Sequence, residues 1–402
     1  MSEKLEVHGA VAPGFEGVRE EFAAVLAEES HNEPGSQLAA YLGGRLVVDL
    51  AAGEDFPAGK LTGLYSVTKG AAHLVFALLV QDGVIDLDRR VADYWPDFTG
   101  AGKEDLGVRD LLAHGAGLIG LDRPMTMPEI ADDRVLAELL IRQKPFWEPG
   151  KGYGYHAFVI GALTGEVVRR AAGASIQALY EERIRAPYGL DLYLGLPGEL
   201  EPRYEPVRAM NPTPAQARSI DAEPEDPASL LAIAFNSGSE NKDFTLDIPN
   251  TREVRAKGPA SVGGVGNARG VAGMYAAALT GLGGEPLLRA ETIAEFSTPH
   301  LSGQDLVTGA FDAFGLGFER PVTEFPALGP DAFGHCGVAG SLGLADPRSG
   351  LAYGYVRRRF AFPGGTAPEN GRLIQVLVDA ATKQRMPCSV RYGGLSHRLE
   401  IG

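Results

Sequence analysis

The sequence predicts an α/β (α+β) fold: one domain whose sheet takes strands from both ends of the chain, interrupted by a helical insertion. Three observations point there. Near the start, Gln37-Leu38-Ala39-Ala40-Tyr41 and Arg45-Leu46-Val47-Val48-Asp49 flank Gly43-Gly44, the pattern of a β-hairpin. Near the end, Gly334 to Asp346 and Leu351 to Arg357 flank the turn sequence Pro347-Arg348-Ser349-Gly350. Between them, from Asp86 to Asn250, the chain reads as helices and proline-broken loops. Residues 1–90 and 255–402 are therefore assigned to the α/β part and 91–254 to a mainly α-helical insertion, with the site expected between them.

The elements follow in order. Phe15, Val18, Phe22, Val25 and Leu26 recur at helical spacing between Phe15 and Glu29, which predicts an amphipathic helix. After the first hairpin, the run from Gly70 to Val80 is interrupted only by His73. A helix without a polar face is buried nearly all round, and Asp82-Gly83 is a plausible stop. Val135 to Gln143 and Ala157 to Arg170 are expected helices within the insertion. Pro202, Pro206, Pro212, Pro214, Pro224 and Pro227, set among many charges, predict an exposed loop from Glu201 to Pro227. Gly264 to Gly270 misses the dinucleotide-binding glycine spacing by one residue and follows no strand pattern, so no phosphate loop is expected. Thr366 to Ala381 closes the chain as a helix that buries Leu373, Ile374, Val376, Leu377 and Val378. No internal repeat occurs.

Composition bounds the function. The chain has 402 residues, 45 % hydrophobic and 22 % charged, ordinary for a globular protein with a sizeable core. A net charge of −15 argues against nucleic acid or an anionic membrane as partner. Met1 to Glu6 shows no basic-then-apolar leader pattern, and no apolar run approaches the ~20 residues that span a bilayer. Cys336 and Cys388 are too few for a disulfide framework, so a reduced cytoplasm is the expected location. The eight histidines stand singly, without ligand spacing, so neither a metal nor another cofactor is expected.

Ser66-Val67-Thr68-Lys69 carries the chemistry. Residues at i and i+3 share a helix face, so Ser66 and Lys69 meet without help from the rest of the fold. Free N–H groups at a helix N-terminus favour a developing negative charge beside the hydroxyl. Lysine is scarce, nine against 28 arginines, yet one stands at the mouth of the most apolar helix. Apolar surroundings that bring an ammonium from its ordinary pKa of ~10.4 to near 7 destabilise the charged form by roughly 4 kcal/mol. The product is a neutral amine beside a hydroxyl, an activated nucleophile. Ser239-Glu240-Asn241-Lys242 repeats the spacing in a polar stretch and reads as solvated surface.

Acyl transfer also needs a group that passes a proton to the leaving group and donors for the oxyanion. Pro149 to Ala157 is a glycine-rich loop delivering Tyr153, Tyr155 and His156 before a helix. Phe333 to Ser341 has glycine every few residues, as where a substrate approaches a strand closely. No Gly-x-Ser-x-Gly occurs, so no nucleophile elbow competes for the serine.

Taken in order, these segments resemble the serine β-lactamase and penicillin-recognising superfamily, and within it the class C-like esterases of family VIII type, transesterases and D-aminopeptidases. Ser66 to Lys69 matches Ser-x-x-Lys, and Val108 to Leu118 is similar to the helix that follows it. Tyr155-His156-Ala157 takes the place of Tyr-x-Asn, and His335-Cys336-Gly337 that of Lys-Thr-Gly or His-x-Gly. The resemblance implies a β-lactamase-like antiparallel sheet flanked by helices with an all-α insertion. It implies Ser66 as the acylated nucleophile, and Lys69 as its proton acceptor or the group that keeps Tyr155 ionised. Tyr155 would be base or leaving-group acid, the N–H groups of Ser66 and Val338 the oxyanion hole, and His335, Cys336 and Gly337 substrate contacts. His156 is placed with these contacts too, although it is not the family's usual occupant, and tuning of the phenol or plain packing are its alternatives.

Departures from the pattern shape the substrate expectation. Ala157 replaces an asparagine, and His335 and Cys336 replace the lysine and threonine that engage a β-lactam carboxylate. An ester or amide of small size is the expected substrate, with a bound alcohol or amine as acceptor if the enzyme transfers the acyl group. A D-amino-acid amidase or peptidase, a β-lactamase, and a silent binding protein on this fold are the alternatives. Strand alternation places Cys336 and Val338 on the same side and His335 on the other.

Overall fold

Strands from both chain ends do build one sheet. In chain order the strands are β1 (Val7–Val11), β2 (Ser36–Leu42), β3 (Arg45–Ala52), β4 (Thr62–Gly63) and β5 (Leu192–Tyr193). They continue with β6 (Val265–Gly266), β7 (Phe333–Cys336), β8 (Leu342–Asp346) and β9 (Leu351–Arg357). Six pair antiparallel in the order β1-β3-β2-β9-β8-β7, and β4-β6-β5 form a small second sheet. The computed structural model describes residues 6–385 apart from 34, 221–225 and 312–313; the first five residues and Cys388 lie outside the described residues.

Each face of the sheet has its own core. Helix α1 (Glu16–Glu28) buries Val18, Phe22, Val25 and Leu26, the expected apolar stripe, and packs with the C-terminal helix Glu369–Arg385 on Leu38, Leu50 and Tyr353. The opposite face carries the helix Ala268–Leu279, which lies across β9, β2 and β8. Glycine permits that approach: a Cβ on Gly354 would stand 2.4 Å from the Ala268 carbonyl oxygen. Behind this layer runs α2 (Val67–Gln81), where every residue from Val67 to Leu79 is buried. One continuous apolar cluster joins α2 to the helices Asp133–Leu140 and Ile160–Ala172. Among the described residues, no helix is long and apolar enough to cross a membrane.

The structure corrects four readings. The stretch Gly334 to Asp346 is not one strand but the β7–β8 hairpin, turned at Gly337–Ser341 by a Gly337 N–H to Ser341 carbonyl bond of 2.7 Å. Strand alternation from Cys336 to Val338 therefore does not apply, because the strand ends at Cys336, although both residues do line one cavity and His335 does not. The Glu201–Pro227 segment, within its described residues, holds a helix at Pro214–Ile220 and buries Val207, while the Tyr204 hydroxyl donates to the Pro249 carbonyl at 2.8 Å. Proline excludes a segment from regular ladders, not from burial. The helix expected from Ala157 begins at Ile160, which leaves Tyr155, His156 and Ala157 in the preceding loop.

Candidate active site

Strand β4 feeds directly into α2, and the link is tight. Tyr65, just before the helix, holds φ +48°, a region bulky residues rarely adopt. It is fixed by its carbonyl accepting the Thr68 N–H at 3.0 Å and by an edge-on contact with Phe360. Strain of this kind persists where surrounding structure over-determines it, and it often sits at functional sites. Ser66 follows as the residue capping α2, but its side chain accepts no capping bond from the helix, so the hydroxyl is left for other partners.

Those partners are Lys69 and Tyr155. The Ser66 Oγ lies 2.9 Å from Lys69 Nζ and 2.7 Å from the Tyr155 hydroxyl. Lys69 Nζ also lies 2.6 Å from the Ala157 carbonyl oxygen and 3.0 Å from that of Ser261. As an ammonium, Lys69 donates to all three oxygens. As an amine, it donates to the two carbonyls and accepts the Ser66 proton. Both states are fully hydrogen-bonded, so the site can switch between them without orphaning a group. Burial draws the Lys69 pKa down to about 7, against the opposing attraction of Glu319 and Cys336. The Tyr155 phenol goes the other way: burial first, then Glu319 and Cys336, push it well above its usual range, while its bond to Ser66 opposes the shift. The resting arrangement is a neutral phenol donating to a serine beside a lysine poised at neutrality.

The Tyr155 loop is held from behind. Of the segment Val108 to Leu118, only Val108–Leu112 is helical; His114 follows it, and its Nδ1 accepts the His156 N–H at 3.1 Å. The Asp305 carboxylate, buried, accepts the N–H groups of Tyr155, Val307 and Thr308 at 3.3, 2.8 and 2.7 Å. Phe314 stacks on Tyr155 with centroids 5.7 Å apart and planes inclined 10°.

A cavity of about 620 Å³ opens in front of Ser66. Ser66, Tyr155, Cys336 and Val338 all line it, so four of the expected residues share one space. Neither the Ser66 nor the Val338 backbone N–H has an acceptor among the described residues. Gly337 does not line the cavity; it lets the β7 end lie against the approach to α2, since a Cβ there would stand 2.6 Å from the Leu64 carbonyl oxygen. His156 and His335, expected as substrate contacts, are fully buried and are not among the lining residues. His156 bonds the Gly154 carbonyl through Nδ1 at 2.7 Å and packs on His114 and Trp147. His335 Nδ1 lies 2.9 Å from the Cys336 carbonyl oxygen and 3.2 Å from Glu319 Oε1. Burial pulls the His156 pKa down to about 4 and that of His335 well below the usual range, so both rings are neutral. The second Ser-x-x-Lys, Ser239 to Lys242, lies in a mostly exposed loop.

Sequence reasoning missed Glu319, Asp305, Phe235 and Phe314. Glu319 is held in place by its backbone, which exchanges hydrogen bonds with Gly334 across β7 at 2.9 and 3.2 Å. Its carboxylate accepts the Cys336 N–H at 2.7 Å and the Cys336 thiol at 3.3 Å. The one local signal is the end of the apolar stretch Phe314 to Phe318, where Glu319 is the first charge.

The beta-lactamase family model matches residues 18–376. The chain is 31 % identical over 375 residues to the esterase/beta-lactamase LipL of Mycobacterium tuberculosis, spanning 89 % of this chain and 84 % of LipL. The solved structure of EstA from Arthrobacter nitroguajacolicus Rue61a matches with a TM-score of 0.85 at 40 % identity, over 94 % of this chain and 99 % of that one. A family VIII carboxylesterase matches at 0.82 and 34 % identity, over 93 % and 100 %.

Proposed function

The chain belongs to the beta-lactamase family, and from that premise we propose a serine ester hydrolase that works through an acyl-enzyme on Ser66. The observation that carries the reading is the Tyr155–Ser66–Lys69 chain of contacts at 2.7 and 2.9 Å at the floor of the cavity. Ser66 Oγ attacks the ester carbonyl and its proton passes to the Lys69 amine. Negative charge gathers on the carbonyl oxygen, stabilised by the N–H groups of Ser66 and Val338. A single such donor is typically worth ~10²–10³ in rate. The Tyr155 phenol, kept protonated, gives its proton to the departing alkoxide. When water later cleaves the acyl-enzyme, the Tyr155 phenolate takes a proton from that water and the Lys69 ammonium returns one to the departing Ser66 Oγ. Its raised pKa favours the acid role for Tyr155 over the base role.

Cys336 belongs to the cavity wall in this reading, and Gly337 to its support. The family VIII carboxylesterase supports an ester as substrate, as does the withdrawal of His335 from the cavity. We extend the proposal to the division between residues 1–90 with 255–402 and the insertion 91–254, since Ser66 and Val338 meet Tyr155 and Phe235 across it. A reducing, cytoplasmic setting fits Cys336, which is free among the described residues. Transfer to a bound alcohol or amine is the second reading, favoured by a cavity with room for an acceptor beside the acyl group.

Intact-mass analysis after a fluorophosphonate tests the assignment. One adduct per chain, mapped to Ser66 and absent from Ser66→Ala, is the expected result; no adduct, or one elsewhere, overturns it. On the same preparation, kcat/KM for a p-nitrophenyl ester should far exceed that for nitrocefin.

A further inference from the structure

Outside the Ser66–Lys69–Tyr155 set, one group of reactive side chains has no part in the proposed reaction. Glu319, His335 and Cys336 bring a carboxylate, an imidazole and a thiol together at the end of β7, their ligand atoms all within 4.8 Å of one another. The individual spacings are specific. Cys336 Sγ is 3.3 Å from Glu319 Oε1, and His335 Nδ1 is 3.2 Å from the same oxygen. Tetrahedral zinc with bonds of about 2.0–2.3 Å sets neighbouring ligand atoms roughly 3.3–3.8 Å apart. Two edges of the cluster are thus already near the length a zinc ion imposes.

We propose that Glu319, His335 and Cys336 bind a single thiophilic divalent cation of the zinc(II) type, and that its occupancy closes the ester cavity. Three features support it. The donor set mixes sulfur, nitrogen and oxygen, which suits zinc or cadmium and not the hard cations that demand six or more oxygens. The carboxylate is pre-oriented, because Glu319 Oε2 accepts the Cys336 N–H at 2.7 Å and leaves Oε1 to face the other two donors. Partner-held ligands of this kind bind metal more tightly. The third concerns the ring: His335 Nε2 is buried without a partner. With the proton on Nδ1, the Nε2 lone pair goes unused; with metal on Nδ1, the Nε2 proton does. The Cys336 carbonyl oxygen, 2.9 Å from Nδ1, loses that donor on binding, so one hydrogen bond is exchanged for a coordinate bond.

The exchange balances. The cation replaces the Cys336 thiol proton, which leaves to solvent, and the His335 proton moves from Nδ1 to Nε2. Glu319 contributes as carboxylate. Glu319 and Cys336 line the ester cavity together with Ser66 and Val338, so a bound ion stands where the ester must enter. This last step rests on the proposed hydrolase reading; the binding site itself does not.

The experiment titrates the full-length protein with cadmium chloride and follows the ultraviolet thiolate-to-metal band, with equilibrium dialysis for stoichiometry. One ion per chain with the band is expected, displaced by zinc and by a chelator and unaffected by magnesium or calcium. Cys336→Ala should lose the band. Glu319→Gln should weaken binding by at least about tenfold, and thermal melts without metal show that each variant is folded. Should Cys336→Ala not fold, the Glu319→Gln titration decides alone. No band in the parent protein, a band that survives in Cys336→Ala and so belongs to Cys388, or unchanged affinity in Glu319→Gln overturns the site. Zinc should inhibit p-nitrophenyl ester hydrolysis over the range in which it displaces cadmium, and binding without inhibition overturns closure of the cavity. Cadmium bound at Cys336 in a protein that turns over no ester would leave the site standing and remove the hydrolase reading. Ester turnover with no cadmium binding would do the reverse.

Discussion

Two clusters face the same cavity and are built in opposite ways. Ser66 and Lys69 are one helical turn apart on α2, so their contact follows from 3.6-residue geometry alone. Glu319 and Cys336 are 17 residues apart and meet only because the Glu319 backbone bridges Gly334 beside β7. A cluster written locally is fixed once its helix forms, and α2 is buried on every side. A cluster written across a strand bridge depends on the register between β7 and the Glu319 segment. The first arrangement suits a nucleophile, whose geometry must not drift. The second suits a wall, which holds none of the reacting atoms.

The comparison breaks first at the nucleophile. Ser66→Ala and Lys69→Ala should each lower kcat/KM on a p-nitrophenyl ester by about 10³-fold or more, and the double variant should be no worse than the worse single one, because both act on one proton path. Independent, additive losses would mean that the turn-spaced pair does not work as a unit. Tyr155 comes next. Tyr155→Phe should cost about 10²-fold on an alkyl ester, whose alkoxide needs a proton, and clearly less on a p-nitrophenyl ester, whose phenolate leaves unaided. Equal losses on the two esters would return Tyr155 to the role of base.

How much was legible follows the same division. The period and the turn-spaced pair announced α2 and its chemistry, and the paired runs around Gly43-Gly44 announced the β2–β3 hairpin, because each signal lies within a few residues. Strand β1 went unread: it is an edge strand with a mostly exposed face, so it carries no apolar alternation. The turn inside Gly334 to Asp346 hid because glycine reads equally as strand or turn. The orientation of His156 has no mark in the sequence, because which way a loop residue faces is decided by packing, in this case against His114 and Trp147. Glu319 had no local mark, since its role comes from the Gly334 bridge.

The poise of Lys69 links the two clusters and predicts a pH dependence. The base must be an amine, and with a pKa near 7 it is increasingly an ammonium below neutrality. kcat/KM should therefore fall about tenfold per pH unit below that point and level off above it. The neighbouring rings do not titrate in this window: burial brings His73 to about 3 and His156 to about 4, and holds His114 and His335 well below the usual range. Glu319, pushed up to about 7 by burial, does titrate there, so the limb is a property of the pair. A flat profile across neutrality would take Lys69 out of the proton path.

The smallest effect is expected at Cys336, and it sharpens the contrast. A cysteine lining the cavity beside the proposed oxyanion donor invites assignment as nucleophile. Its surroundings say otherwise: burial and then the Glu319 carboxylate push the thiol well above its ordinary pKa, and the thiol donates to Glu319 at 3.3 Å. A thiolate is the reactive form, and both influences suppress it. A serine hydroxyl at this position can donate the same bond and occupies slightly less space. Cys336→Ser should thus retain most of the esterase activity, within about fivefold of the parent, because it alters a cavity wall and not the reacting atoms. Steady-state kinetics on a p-nitrophenyl ester, run beside Ser66→Ala, make the measurement. If Cys336→Ser is as inactive as Ser66→Ala, the chemistry belongs to the strand-bridge cluster, and the helical pair is its support.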